Sequence, residues 1–210
     1  MKLPFTHDQF LDVFAAYNGA LWPVAVLLWV ATVWTLVRLA RGGAPPRLVG
    51  GLLALHWAWA GAAYHIAYFA GINPVARIFG ALFVLQALLF AFYGVRRADV
   101  AVTWGRRPHQ VLSIVFSVYA VGYPLLALAS GLRWPRMPSF GVPCPTTLLT
   151  VGLLLGLPPR RLRGLGVVPL LWCLVGGSAA LTLGIAPDFM LLAGAVVLAW
   201  YVLAPPRAAA

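Results

Sequence analysis

Seven apolar stretches punctuated by arginine clusters constrain this chain more than any motif in it: about 19–40, 48–70, 74–95, 111–132, 140–157, 165–184 and 189–204. A hydrocarbon core about 30 Å thick takes about 20 residues of α-helix to cross. Backbone polar groups find no water there, so a spanning segment must be a helix or part of a closed barrel. The stretches lack the alternation of barrel strands. The expected fold class is therefore all-α integral membrane, a bundle of seven transmembrane helices. Composition agrees, with 62% of the 210 residues hydrophobic and 9% charged. The only acids are Asp8, Asp12, Asp99 and Asp188, and Glu is absent. A soluble enzyme, a coiled coil and a disordered tail are excluded on these grounds.

The net charge of +11 would suit nucleic acid, but its distribution follows the connections between spans. Arg38, Arg41 and Arg47 fall between spans one and two; Arg96, Arg97, Arg106 and Arg107 between three and four; Arg160, Arg161 and Arg163 between five and six; Arg207 follows the last. The opposite side receives only Lys2, Arg77, Arg133 and Arg136. Positive-inside reasoning places the N-terminus outside and the C-terminus in the cytoplasm, and no nucleic-acid partner is expected. The N-terminus lacks the short apolar run and cleavage site of a signal peptide, so the first span is expected to be retained. Thr6-His7-Asp8-Gln9 has capping-box spacing, and Phe10, Leu11, Phe14 and Tyr17 recur at helical intervals. Residues 1–18 are thus expected to carry an amphipathic helix over 6–18 lying on the outer surface, as an anchor or a lid. Residues 19–204 form the seven-helix domain, and 205–210 a cytoplasmic tail. Cys144 and Cys173 are too few for a disulfide framework and are expected to be free thiols.

Polar residues that a bilayer tolerates only for a reason gather toward the outer half. His56 and His65 are nine residues apart and fall on opposite faces of one regular helix, so they are not expected to share a metal. His56 matches Gln86 of the next span in depth, which suggests a hydrogen-bonded pair. His65 is followed by Tyr68, the turn Gly71-Ile72-Asn73-Pro74 and Arg77. Arg77 either snorkels to the interface or faces inward and biases the site toward an anionic or carbonyl-bearing guest.

Phe140-Gly141-Val142-Pro143-Cys144-Pro145-Thr146-Thr147 is the most informative stretch. Counted from Thr146, the fifth span reaches only about 18 Å, too short to cross. Two prolines remove donors and block regular helix, so residues 139–145 are expected either to enter the membrane as unwound backbone beside a thiol or to form a rigid surface turn. Broken spans of this kind mark binding sites in transporters. Pro124 after Tyr123 adds a kink at similar depth. Gly152, Gly156 and Gly176-Gly177-Ser178 suit close helix packing. Trp22, Trp104, Trp134 and Trp200 read as interfacial anchors, whereas Trp57, Trp59 and Trp172 lie deeper and are candidates to line a pocket. No Lys lies in any span, excluding a retinal Schiff base; no carboxylate is expected deep in the bilayer, and no nucleotide-binding motif occurs.

Pro4-Phe5-Thr6, Tyr17-Asn18, Trp22-Pro23, Tyr64-His65, Ile72-Asn73-Pro74, Phe79-Gly80, the Phe140–Thr147 stretch and Gly176-Gly177-Ser178-Ala179-Ala180 together resemble a family of small bacterial multi-pass membrane proteins of unknown function. The resemblance covers most of the chain and implies a seven-helix body in a bacterial inner membrane, without an established activity. Cys144-Pro145 is also similar to the Cys-Pro element of heavy-metal pumps, whose phosphorylation domain is missing here. Seven spans with an outside N-terminus are similar to the intramembrane metal-dependent hydrolases, but their paired histidines one turn apart are not present.

The expected function is a membrane carrier or channel-like protein for a small solute, a soft metal ion being one candidate guest, with an outward-opening site. Its expected ligand-binding residues are His65, Asn73, Arg77, Tyr123 and Cys144, with Cys144 and His65 as the candidate metal ligands. An intramembrane enzyme acting on a lipid-linked substrate through His65 is the alternative. A non-catalytic accessory subunit is a third reading, distinguished by the lack of an internal polar cavity. Oligomeric state is not legible in the sequence.

Overall fold

The computed structural model describes residues 4–103 and 109–203, so Lys2, Trp104, Arg106, Arg107, Arg207 and the 205–210 tail lie outside the described residues. Helix α1 runs His7–Ala40. Helix α2 covers Pro46–Trp59 and continues as a π-helix, Ala60–Tyr68, and a 3-10 turn, Phe69–Gly71. Helix α3 covers Ala76–Phe90 and continues as a π-helix through Arg96. Then follow α4 (Gln110–Ala129), α5 (Pro143–Leu154), α6 (Pro159–Leu183), a 3-10 turn at Ala186–Phe189, and α7 (Met190–Leu203). The described residues are all-helical, without a named strand, and five of the helices are long and apolar enough to cross a membrane. Leu27, Ile78, Leu88, Val118, Leu125 and Val196 project outward from them, as side chains facing hydrocarbon do.

Helix α1 begins where the capping box predicts. Gln9 N–H donates to Thr6 Oγ1 at 3.2 Å and Thr6 N–H to Gln9 Oε1 at 2.8 Å, satisfying two donors that helix geometry leaves unpaired. The expected break between a surface helix at 6–18 and a span at 19–40 is not there. One helix of 34 residues, about 51 Å, passes through Pro23 uninterrupted. Its first turns bury Phe10, Phe14 and Tyr17 against Tyr64, Phe69, Val142, Leu183 and Ile185. The apolar stripe of these turns packs against protein.

Neighbours in sequence pair in space: α2 with α3, α4 with α5, α6 with α7. Glycine sets the approach of the first pair. A methyl group built on Gly50 would stand 2.3 Å from Gly94 Cα, and one on Gly61 2.9 Å from the Gly80 carbonyl, so a side chain at either place would push the helices apart. Gly152 serves α5 likewise, with a methyl falling 2.5 Å from Ser117 Oγ. His56 and Gln86 do not pair with each other. His56 Nε2 is 2.9 Å from Thr32 Oγ1 of α1, and Gln86 Nε2 donates to the Leu165 carbonyl of α6 at 2.9 Å. Each polar group finds a nearer partner on a helix that sequence depth alone does not identify.

Helix α5 is the axis of the molecule. Every residue from Pro143 to Leu154 except Cys144 is buried, which explains an apolar sequence with no polar face. Its 12 residues reach about 18 Å, and irregular backbone supplies the rest of the path. Arg133–Arg136 lie near the surface and Met137–Val142 are buried.

Candidate functional site

The buried irregular backbone is held by α1. Asn18 Nδ2 donates to the carbonyls of Pro135 at 2.7 Å and Met137 at 2.8 Å, and its Oδ1 accepts from Ser139 Oγ at 2.5 Å. Tyr17 Oη donates to the Phe140 carbonyl at 3.3 Å and accepts from Trp59 Nε1 at 2.7 Å. These bonds satisfy carbonyls that would otherwise be stranded away from water. Gly141 adopts φ of +81°, and a methyl there would lie 2.8 Å from Tyr17 Oη, so both the left-handed turn and the tight fit call for glycine. Arg136 completes the strap outside, pairing with Asp8 at 3.1 Å and Asp12 at 3.0 Å.

Beside this strap lies a cavity of about 290 Å³ at the end of the bundle where α1 begins. Its walls are mainly aromatic: Phe10 and Phe14 of α1, Tyr64 and Phe69 near the end of α2, Phe79 of α3 and Trp172 of α6. Phe5 closes over the top, stacked on Phe10 at 5.9 Å between ring centres. Val175, Ser178, Ala179 and Thr182 form the α6 side, one face of a helix by their spacing. The polar contribution comes from Asn73, Cys144 and Asp188.

Asp188 is the residue sequence reasoning missed. It sits in the 3-10 turn ahead of α7 and is 6% exposed. Tyr123 Oη donates to one carboxylate oxygen, and the Cys144 side chain lies against the same group. The positive end of α7 is adjacent. Among the described residues the ion pairs join Arg136 to Asp8 and Asp12 and Arg161 to Asp99, and none reaches Asp188. From the sequence no carboxylate is expected deep in the bilayer, and Asp188 stands one residue ahead of the last apolar run. The signal that could have found it is scarcity: it is one of only four acids, and it directly follows a proline at the start of the last span.

Of the expected site residues, Asn73 and Cys144 line the cavity, Cys144 from the first turn of α5. Tyr123 stands behind Asp188 and reaches the cavity through it. His65 is fully buried one layer back, its ring 4.8 Å from Trp172 and 4.7 Å from Phe83, with both nitrogens lacking a hydrogen-bond partner. Trp172, not His65, faces the open space, because the π-helical turn carries Tyr64 to the cavity and points His65 at α3 and α6. Arg77 is exposed at the start of α3 and does not line the cavity. The expected pairing of Cys144 with His65 on a metal therefore does not form, and among the described residues no three His, Cys, Asp or Glu side chains gather. Both cysteines are free. Of the deeper tryptophans, Trp57 is bonded to Thr150 Oγ1 at 2.8 Å in the core, Trp59 holds Tyr17, and Trp172 alone lines the cavity.

The cavity thus offers aromatic rings, one carboxyl group, one thiol, the Asn73 amide and the Trp172 indole. It suits a small guest with an apolar body and one or two polar points. No curated protein and no solved structure is detectably similar to the chain. A family model described as a family of unknown function (DUF6064) matches residues 7–209, nearly the whole chain, and the chain belongs to that family.

Proposed function

We propose that this protein is a carrier for a small solute in a bacterial inner membrane, crossing it seven times with the N-terminus outside, so that the cavity opens outward. The arginine bias of the connections supports that orientation. One observation carries the functional reading: a cavity containing a buried carboxyl group lies at one end of the bundle, above a sealed second half. Toward the other end Trp57, Phe83 and Phe90 fill the interior, and α2 meets α3 backbone to backbone at Gly50 and Gly94. A site open to one side and closed to the other fits one state of an alternating-access cycle better than a continuous pore. A cavity that holds a buried carboxyl group also weighs against a purely accessory subunit. The ligand set favours an organic guest over a soft metal ion, since Cys144 and Asp188 are the two metal-ligating side chains that line the space.

The test uses purified protein in liposomes offered radiolabelled amines, amino acids and Cu(I). Uptake of at least one above that of protein-free liposomes, abolished by Cys144→Trp, which fills the cavity from its floor, is the expected result. Entry of all three classes at the protein-free rate would overturn the reading, as would uptake unaffected by the substitution.

A further inference from the structure

The cavity holds a buried acid that no base among the described residues answers. A carboxylate taken out of water costs several kcal/mol unless it is paired or well hydrogen-bonded, and proteins pair such groups or use them. Asp188 receives one O–H from Tyr123 and lies against the Cys144 thiol, both neutral partners, and no Lys or Arg among the described residues lies within ion-pair reach. The surface it shares is lined by the rings of Phe10, Phe14, Tyr64, Phe69, Phe79 and Trp172, and a cation that reaches the face of such a ring gains attraction from its quadrupole, more so when water is excluded. Trp172 is buried at the cavity wall, with its indole N–H beside the Cys144 thiol. A simple inorganic cation would leave the aromatic walls unused and would lack enough oxygen ligands to replace its hydration.

From this juxtaposition we infer that the guest is a small organic ammonium ion whose nitrogen pairs with Asp188 and whose apolar body is enclosed by the aromatic walls. The inference rests on the carrier reading for its setting, but concerns what binds rather than whether it crosses. A primary or secondary ammonium donates directly to Asp188. Asn73, at the rim in the turn between α2 and α3, accepts Val75 N–H through Oδ1 at 3.2 Å and keeps its amide N–H group free to bond the guest.

Benzylamine and benzyl alcohol, nearly the same in shape and different in charge at pH 7, separate this from generic apolar binding. Titrated calorimetrically into the full chain in nanodiscs of zwitterionic lipid, benzylamine is expected to bind at one site and benzyl alcohol at least about tenfold more weakly, the difference a charge-assisted hydrogen bond makes. Asp188→Asn should remove that preference. Because Asn at a buried position can compromise folding, Ser178→Phe supplies a second variant: Ser178 is exposed on α6 and lines the cavity, so a ring there should block benzylamine in a protein that still folds. Equal affinity for the two probes overturns the inference, as does a preference for benzylamine that survives Asp188→Asn or binding that survives Ser178→Phe. Benzylamine that binds but never enters proteoliposomes sinks the carrier reading alone. A carrier that transports another class and ignores benzylamine sinks this inference alone.

Discussion

The two ends of the same helices are built in opposite ways. At the end where α2 begins and α3 finishes, Gly50 and Gly94 let two backbones touch, and aliphatic and aromatic side chains fill what remains. Toward the other end the glycine contacts stop at Gly61 and Gly80, and the next residues outward on these helices are large rings, Tyr64, Phe69 and Phe79, which stand around open space. Helix separation is thus graded along one pair of helices by side-chain volume. A bundle needs no special loop or domain to be closed at one end and open at the other. The open end requires more polar chemistry, because irregular backbone is admitted there only where Asn18 and Tyr17 satisfy it.

The contrast is broken most severely at the closed end. Gly50→Val places a side chain inside the Gly94 backbone and should destabilise the protein by on the order of 3 kcal/mol, read as a lower midpoint of thermal unfolding in detergent. Gly71→Val, at a position with open space around it, should cost far less, and equal losses at both would mean that the close approach is not what fixes the pair.

At the open end, Asn18→Ala strands the Pro135 and Met137 carbonyls and the Ser139 hydroxyl. A loss of about 2 kcal/mol is expected, together with faster proteolysis or hydrogen exchange confined to residues 133–142. Uniform loosening of the whole bundle instead would show that the strap is not an independent element. The smallest effect belongs to Arg136→Gln. Its pairs with Asp8 and Asp12 are well exposed, so stability should change by less than about 1 kcal/mol, and the difference from wild type should shrink further in high salt.

Much of the architecture was legible because lipid leaves few alternatives. Apolar length, the lack of alternation and the capping box at Thr6 each dictate a helix by local physics, and the shortness of the fifth span required a stretch of irregular chain before it. The site was legible only in part. Cys144 and Asn73 announced themselves by standing next to prolines that break helices, and both line the cavity. Arg77 and His65 did not follow, since whether a residue near a helix end faces inward depends on the rotation of that helix, and the π-helical turn at 60–68 changes the rotation without a sequence mark. Arg161 shows the same limit: beyond any role in orientation, it pairs with Asp99 at 2.5 Å and lies over the Tyr93 ring.

By itself the sequence determined that this chain is helical, that most of its helices suit a bilayer, and that a short, proline-flanked helix cannot cross alone, since hydrogen bonding and hydrophobic length act through neighbours along the chain. Only the tertiary structure decided that the first helix continues unbroken to cap the bundle, that Asp188 turns inward beside Cys144 and Tyr123, and that His65 stands behind Trp172. Those outcomes follow from which faces of separate helices meet, and residues far apart in the chain carry no local record of that meeting.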